Sequence, residues 1–268
     1  VTAIAPAHSA FFASEADIAD AKGEIFQGLE AGGTAIIPYD SPHVATLYNK
    51  AERHAARILT FGMSAQADVH ALETVPAPNG GTLVTARLPE AELCFTVAAP
   101  GDHWVSNALA VLAAVEAVGG DLAAAGLALA EMPGLPGRGE RRILPVAGGE
   151  ALLIDESYNA NPLSMAATLK QLGREHADRR IAVLGGMREL GSASADLHAG
   201  LAKPLADGAI DFAVLVGAEM APLADALEGT MAYAHVPDAA SAIPLIEKEM
   251  RAGDAILVKG SNGIGLSR

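Results

Sequence analysis

Cysteine is almost missing from this sequence. Cys94 is the only cysteine among 268 residues, which excludes an intrachain disulfide and a metal centre built from several thiolates. Its neighbours Leu93 and Phe95 are apolar and typical of a strand, so we predict that Cys94 is buried in a strand.

Aromatic residues and long hydrophobic runs are also scarce. Phe, Trp and Tyr make up 4% of the chain, whereas apolar residues make up 51%, a balance that favours aliphatic helices packed on a sheet. No run of about 18 uninterrupted apolar residues occurs, and the first residues lack the basic, apolar and small-residue order of a signal peptide. We therefore predict a soluble, cytoplasmic protein that does not insert into a membrane.

Basic residues are outnumbered by acidic ones. The chain has 18 Lys and Arg against 32 Asp and Glu, a formal net charge of −14. Proteins that bind nucleic acid usually present a basic face, so we expect no nucleic-acid partner. The overall sign does not exclude a small phosphate ligand, because a few well-placed cations are enough to bind one.

What the second half of the chain does contain is a regular alternation of short apolar runs with stretches of helical spacing. This alternation is typical of an α/β fold with a doubly wound, mainly parallel sheet. The predicted strands cover residues 151–154, 181–184, 212–216 and 255–258. The predicted helices cover about 162–174, 195–206, 219–227 and 239–251.

The first half of the chain mixes helices and strands. The predicted helices cover about 14–29, 41–55, 104–118 and 121–132. The predicted strands cover about 34–37, 57–61, 68–75, 82–88 and 92–98, with a hairpin turn at Asn79-Gly80-Gly81. The stretch PGLPGRGE (133–140) is rich in proline and glycine and has no apolar periodicity. It predicts a boundary between two domains, 1–138 and 139–268, each long enough for its own core.

The stretch DESYNANP (155–162) places many polar side chains directly after the apolar run 151–154. In an open α/β sheet, ligands bind where strands end and helices begin, because amide donors point outward there. A ligand site therefore explains the stretch. A helix N-cap combined with an Asx turn explains it equally well, and the residues alone leave both interpretations open.

Seven segments of this chain resemble one family in order and spacing. They are APAH (5–8), AKGEIFQGL (21–29), NALA (107–110), PGR (136–138), DESYNANP with Ser164-Met165 behind it, GGMRELG (185–191) and VKGS (258–261). On these segments the chain resembles the Mur ligases, and among them the branch that appends D-alanyl-D-alanine to the peptidoglycan precursor. Each segment alone is weak, but together they span nearly the whole chain.

The resemblance implies part of a central ATPase domain joined to a Rossmann-like C-terminal domain. It also implies an ATP-dependent ligase of the acid–amino-acid type that uses ATP and Mg²⁺ in peptidoglycan synthesis, and hence in cell-wall formation, cell shape and division. The carboxylate of UDP-N-acetylmuramoyl-tripeptide would take the γ-phosphoryl group of ATP, and the amine of D-alanyl-D-alanine would displace phosphate through a tetrahedral intermediate. Such chemistry needs fixed positive charge around the phosphoryl group.

The resemblance further implies roles for individual residues. Catalysis would depend on His8, Lys22 and Arg138, with His8 and a carbamate of Lys22 at the metal ion, since a carbamate supplies the oxygen ligand that Mg²⁺ prefers. The residues expected at the nucleotide are Asn107 at the adenine, Arg138 at the phosphates, Asp155 at the ribose, and Tyr158 and Asn159. The residues expected at the other substrates are Ser157, Asn161, Lys259 and Ser261.

A phosphate-binding loop that ends in Gly-Lys-Ser or Gly-Lys-Thr is absent, since the chain contains no Gly-Lys dipeptide. In the resembling family that loop precedes the APAH segment, as do a UDP-binding domain and an acidic metal ligand. We therefore expect this chain to be a fragment that is inactive alone. We also expect self-association, because a parallel sheet without its first strands exposes an edge.

Three other interpretations stay open. A different Mur ligase or a folylpolyglutamate-type ligase would share the fold, although SYNANP disfavours it. A non-catalytic nucleotide-binding module would share the fold without the chemistry. A dinucleotide oxidoreductase is disfavoured, because no Gly-x-Gly-x-x-Gly with a partnering acid follows a predicted strand.

Overall fold

The computed structural model describes residues 1–4, 12, 14–77, 81–132 and 136–266. They form two compact units, one containing the described residues up to 132 and the other those from 136 onward. His8 and the first two residues of the predicted turn at Asn79-Gly80-Gly81 lie outside the described residues. Within the described ranges, every helix is too short or too polar to span a lipid bilayer.

The first unit is a mixed sheet with helices. Its elements are α1 (Glu15–Gly23), β1 (Thr34–Pro38), α2 (Val44–Ala51), β2 (Arg57–Gly62), β3 (Val69–Pro76), β4 (Thr82–Arg87), β5 (Glu92–Val97), α3 (Asp102–Ala117) and α4 (Leu122–Glu131). The strand order is β1-β2-β3-β4-β5. The first three strands are parallel, and β4 and β5 are antiparallel additions. A turn of 3₁₀ helix, Glu24–Gly28, continues the helix predicted from residue 14.

Helix α3 provides much of the core of this unit. Val105, Leu109 and Leu112 are buried and recur at spacings of four and three residues, which places them on one face of the helix. They pack with Phe61, Val84 and other side chains of the sheet.

The prediction that Cys94 is buried is wrong, because its side chain is exposed. Strand β5 lies at the edge of the described sheet, and side chains along a strand alternate between its two faces. Phe95 and Val97 face the core, so Cys94 faces the other way. Apolar neighbours in the sequence are therefore not neighbours on the same face.

The second unit contains a mainly parallel sheet. Its elements are β6 (Glu140–Val146), β7 (Gly149–Glu156), α5 (Pro162–Gly173), β8 (Arg179–Gly185), α6 (Ser194–Ala199), α7 (Ala202–Asp207), β9 (Phe212–Val216), α8 (Ala221–Leu227), β10 (Ala232–Val236), α9 (Ala239–Glu249) and β11 (Asp254–Lys259). The strand order is β10-β9-β8-β11-β7-β6, and β6 is the antiparallel member. The predicted α/β class with a mainly parallel C-terminal sheet is confirmed.

Strand β8 shows why the apolar runs predicted this sheet. Ala182 and Leu184 belong to the core on one side of the sheet, whereas Ile181 and Val183 belong to the core on the other. A strand that is buried on both faces has no polar alternation. The four predicted strands of this half are thus confirmed, whereas the helix predicted over 195–206 is two short helices, α6 and α7.

Candidate functional site

Three neighbouring strands of the second unit end at the same edge of the sheet. β11 lies between β7 and β8, with Lys259 opposite Glu156 on one side and opposite Leu184 on the other. Because parallel strands share direction, the segments that follow them meet at their carboxyl ends. DESYNANP, GGMRELG and VKGS therefore converge there.

The segment after β7 satisfies much of its own hydrogen-bonding capacity. The Oδ1 atom of Asp155 accepts the N–H of Ser157 at 3.0 Å, as in an Asx turn. The side chain of Asn161 accepts the N–H of Ser164 at 2.8 Å, and Oγ of Ser164 accepts the N–H of Asn161 at 3.1 Å. These two hydrogen bonds form a capping box at the start of α5. The helix N-cap and the Asx turn that the sequence suggested are therefore both present.

Arg138 and Tyr158 remain exposed and lie against each other. The guanidinium carbon of Arg138 lies 4.1 Å from the centroid of the Tyr158 ring, a cation–π arrangement. The backbone fixes this pair, since the N–H of Tyr158 donates to the carbonyl of Gly137 at 3.0 Å and that of Gly139 donates to Asp155 at 2.9 Å.

Gly137 is required for this close approach. Its φ is +71°, and a Cβ at this position would lie 3.0 Å from the backbone nitrogen of Tyr158. Any other residue would be strained in this conformation and would push the two segments apart. The glycine of the PGR segment therefore brings Arg138 to the end of β7.

Lys259 is buried beneath the segment. Its side chain is 3% exposed, and its ammonium donates to the carbonyl of Asn159 at 2.9 Å and lies 3.6 Å from Oε2 of Glu156. Burial lowers the pKa of Lys259, although the neighbouring Glu156 opposes this shift. Burial also raises the pKa of the Glu156 carboxyl, and Lys259 opposes that shift. Lys259 therefore holds the 155–161 segment in place from below.

Other predicted site residues of this unit differ in exposure. Ser157 is buried, and its Oγ has no hydrogen-bond partner among the residues that the structure describes. The Asn159 side chain accepts the N–H of Ala160. Ser261 is buried directly after β11, and its N–H donates to the carbonyl of Gly186 at 3.2 Å.

The predicted residues of the first unit lie on helices. Lys22 is exposed in the last turn of α1, and Asn107 is exposed on α3. Trp104, three residues before Asn107, is half-buried and packs against the core of the unit. Among the described residues, no group of three His, Cys, Asp or Glu side chains lies together so that it could hold a metal ion.

Sequence reasoning did not single out Glu156, Arg188 or His198. Glu156 stands inside DESYNANP and Arg188 inside GGMRELG, so both motifs were recognised without a role for these side chains. Nothing in the sequence around His198 indicated that its ring contacts Met187.

Two family models match successive parts of the chain. Residues 1–115 match the Mur ligase middle domain, and residues 141–262 match the Mur ligase glutamate ligase domain. The chain belongs to the Mur ligase family.

Within the family, the chain is similar to ligases of one particular name. The UDP-N-acetylmuramoyl-tripeptide–D-alanyl-D-alanine ligase of Escherichia coli (strain K12) is 31% identical over 99% of this chain and 57% of its own length. The ligase of the same name from Haemophilus influenzae is 29% identical over 96% of this chain and 54% of its own. This chain thus spans little more than half of the length of the curated relatives that it matches.

A solved structure agrees with both units. The crystal structure of MurF from Acinetobacter baumannii superposes with a TM-score of 0.84 at 29% identity, over 99% of this chain and 58% of that one.

Proposed function

We propose that this chain supplies the ATP-binding and C-terminal parts of a ligase that joins D-alanyl-D-alanine to UDP-N-acetylmuramoyl-tripeptide. The reaction would run in two steps. The tripeptide carboxylate attacks the γ-phosphorus of ATP and releases ADP, and the dipeptide amine then attacks the acyl phosphate and releases phosphate and a proton. The identities of about 30% to the ligases of this name support the assignment.

One observation from the geometry carries the proposal. Arg138 is held over the exposed ring of Tyr158, next to Asp155 at the carboxyl end of a parallel strand. This is where nucleotides bind in open α/β sheets. A guanidinium there can form two hydrogen bonds to a phosphate, while the carboxylate of Asp155 can accept hydrogen bonds from a ribose.

The remaining nucleotide and substrate roles are part of the same proposal. Asn107 would read the adenine edge through the paired donor and acceptor of its amide. Asn159 would line the nucleotide site, while Ser157, Asn161, Lys259 and Ser261 would serve the dipeptide side. The residues of the second unit all lie at adjoining strand ends, which supports these roles. Asn107 belongs to the first unit.

Mg²⁺ belongs to the proposal through Lys22 and His8. Lys22 is exposed, so its amine is open to carbamylation, and a carbamate is a hard oxygen ligand. The bound ion would neutralise charge on the phosphoryl oxygens. The described residues do not form a complete ligand set on their own.

The direct test uses the complete product of the gene that encodes this chain. It is incubated with ATP, Mg²⁺ and UDP-N-acetylmuramoyl-tripeptide, together with D-alanyl-D-alanine, D-alanine, L-alanine or L-glutamate. We expect phosphate release only in the reaction that contains D-alanyl-D-alanine. Its product should have the mass of UDP-N-acetylmuramoyl-pentapeptide. Equal or faster reaction with a single amino acid would assign the chain to another branch of the family.

A pair of variants tests the site. We expect Arg138→Ala to raise the KM for ATP by about 10-fold or more, because it removes charge-assisted hydrogen bonds. Arg142→Ala removes another exposed arginine of the same unit, which pairs with Glu140, and should leave the KM unchanged. Equal effects of both substitutions would contradict the phosphate role of Arg138.

A further inference from the structure

The 186–190 loop, which follows β8, is fixed through two successive backbone groups. The N–H of Met187 donates to Nε2 of His198 at 2.9 Å, and the N–H of Arg188 donates to Oγ of Ser261 at 3.0 Å. His198 is fully buried, and its Nδ1–H donates to the carbonyl of Ser194 at 2.7 Å. The two ring nitrogens therefore have different roles, with Nδ1 as the donor and Nε2 as the acceptor.

The same loop contains a strained residue. Glu189 has a φ of +62°, a conformation that is unfavourable for a residue with a side chain. Met187 and Leu190 on either side are buried. The loop is therefore held in one conformation by its neighbours, and it presents Arg188 at the surface.

The guanidinium of Arg188 uses few of its N–H donors within the protein. Its side chain is exposed, and Nη2 donates to the carbonyl of Gly263 at 3.0 Å. Among the residues that the structure describes, no carboxylate pairs with this guanidinium, although the chain carries a net charge of −14. Several other arginines of the unit are paired with carboxylates, namely Arg141, Arg142 and Arg179. A guanidinium has five N–H donors, so most of those of Arg188 face solvent.

The spacing of the strands suits a dipeptide. β7 and β8 flank β11, so their ends are separated by two inter-strand distances, or about 10 Å. An extended dipeptide spans about 7 Å. If its amine reaches an acyl phosphate bound by Arg138 at the end of β7, its other end lies near the 186–190 loop.

We propose that Arg188 binds the terminal carboxylate of the incoming dipeptide, and that His198 and Ser261 are positioning residues that hold its loop. This inference rests on the proposed function and adds the residue that recognises the acid end of the dipeptide. Planar guanidinium and carboxylate groups pair through two parallel hydrogen bonds. The loop is already ordered, so little entropy is lost on binding.

The test compares D-alanyl-D-alanine with D-alanyl-D-alaninamide, in which a neutral amide replaces the carboxylate, on the complete gene product. We expect the parent enzyme to prefer the acid by about 10- to 100-fold in kcat/KM. Arg188→Ala should raise the KM for the acid by a similar factor, leave the KM for ATP unchanged and abolish the preference over the amide. Arg188→Lys should restore part of the preference, and the control Arg142→Ala should retain all of it.

Different outcomes separate this inference from the proposed function. An Arg188→Ala enzyme that still prefers the acid as strongly as its parent overturns the inference and leaves the ligase assignment intact. A rise in the KM for ATP alone means that Arg188 binds phosphate and also overturns it. If the parent enzyme does not use the dipeptide at all, the proposed function fails and the inference fails with it. Circular dichroism checks that the variants are folded, and the Lys variant carries the test if the Ala variant is not.

Discussion

The buried pair of Lys259 and Glu156 gives a sharp prediction about stability. Lys259→Met removes the charge but keeps an unbranched side chain of similar length. The Glu156 carboxylate, whose side chain is 14% exposed, then lacks its partner. Breaking a buried ion pair by removing one member costs about 3–5 kcal/mol. Since Glu156 can relax toward water, we expect a loss of about 3 kcal/mol near pH 8.

The loss should depend on pH in a defined direction. Burial raises the pKa of Glu156, and Lys259 opposes that rise, so the substitution raises the folded-state pKa further. A carboxyl with a raised pKa binds its proton more tightly in the folded protein, so stability falls as pH rises from the unfolded pKa through the folded one. The difference between variant and parent should therefore be smaller near pH 5 than near pH 8.

The double substitution Glu156→Gln with Lys259→Met should recover most of the lost stability. For both groups, burial is the largest single cause of the pKa shift and acts against the charged form. Replacing both members of such a pair by neutral residues is often neutral or stabilising. The coupling between the two substitutions should therefore be large and of opposite sign to the single losses.

Hydrogen–deuterium exchange of peptides from β7 and β11 is the best measurement of the change in stability of the second unit. Trp104 belongs to the other unit, so its fluorescence would not report on the pair, and two units need not unfold together. Lys203→Met is the matched control: this exposed lysine pairs with Asp207 one helical turn away and should change stability by about 0.5 kcal/mol or less. A Lys259→Met protein as stable as its parent near pH 8, or a double variant whose losses simply add, would refute the reasoning.

Two further predictions concern local structure. The native protein should react with a thiol reagent at Cys94 without denaturant, because that side chain is exposed; labelling that requires unfolding would contradict the orientation of β5. Asn161→Ala should destabilise α5 by about 1 kcal/mol through loss of its cap, seen as faster amide exchange in the first turn, whereas Asn161→Asp should retain most of the protection.

In the second unit, the sequence predicted the central strands better than the edge strands, and the reason is burial. β9 and residues 181–184 of β8 are apolar and buried because both faces of the sheet are covered there. β6 and β10 were not predicted: β6 contains Arg141, Arg142 and Pro145, and β10 is half exposed at the opposite edge. Edge strands tolerate charge and proline because one side needs no partner. The break between α6 and α7 was missed because the apolar spacing continues across Gly200.

The motifs supplied candidate residues for the site, but they did not predict how these residues are brought together. Lys259 contacts Asn159 across 100 positions of sequence, and no local pattern encodes that contact. The stacking of Arg138 on Tyr158 depends on the positive φ of Gly137, which a sequence permits but does not specify. The orientation of Arg188 likewise depends on a serine 73 positions further on.

The place of β11 has a consequence for how the second unit is made. The strand that is translated last in this sheet, Asp254–Lys259, fills the gap between β7 and β8. Until it leaves the ribosome, those two strands have no shared neighbour, and apolar residues such as Leu152 and Ile181 lack their partners. The pairs β6–β7 and β8–β9–β10 can form earlier, but the sheet is complete only after synthesis passes residue 259, and until then β7 and β8 each present an open strand edge to chaperones or to aggregation.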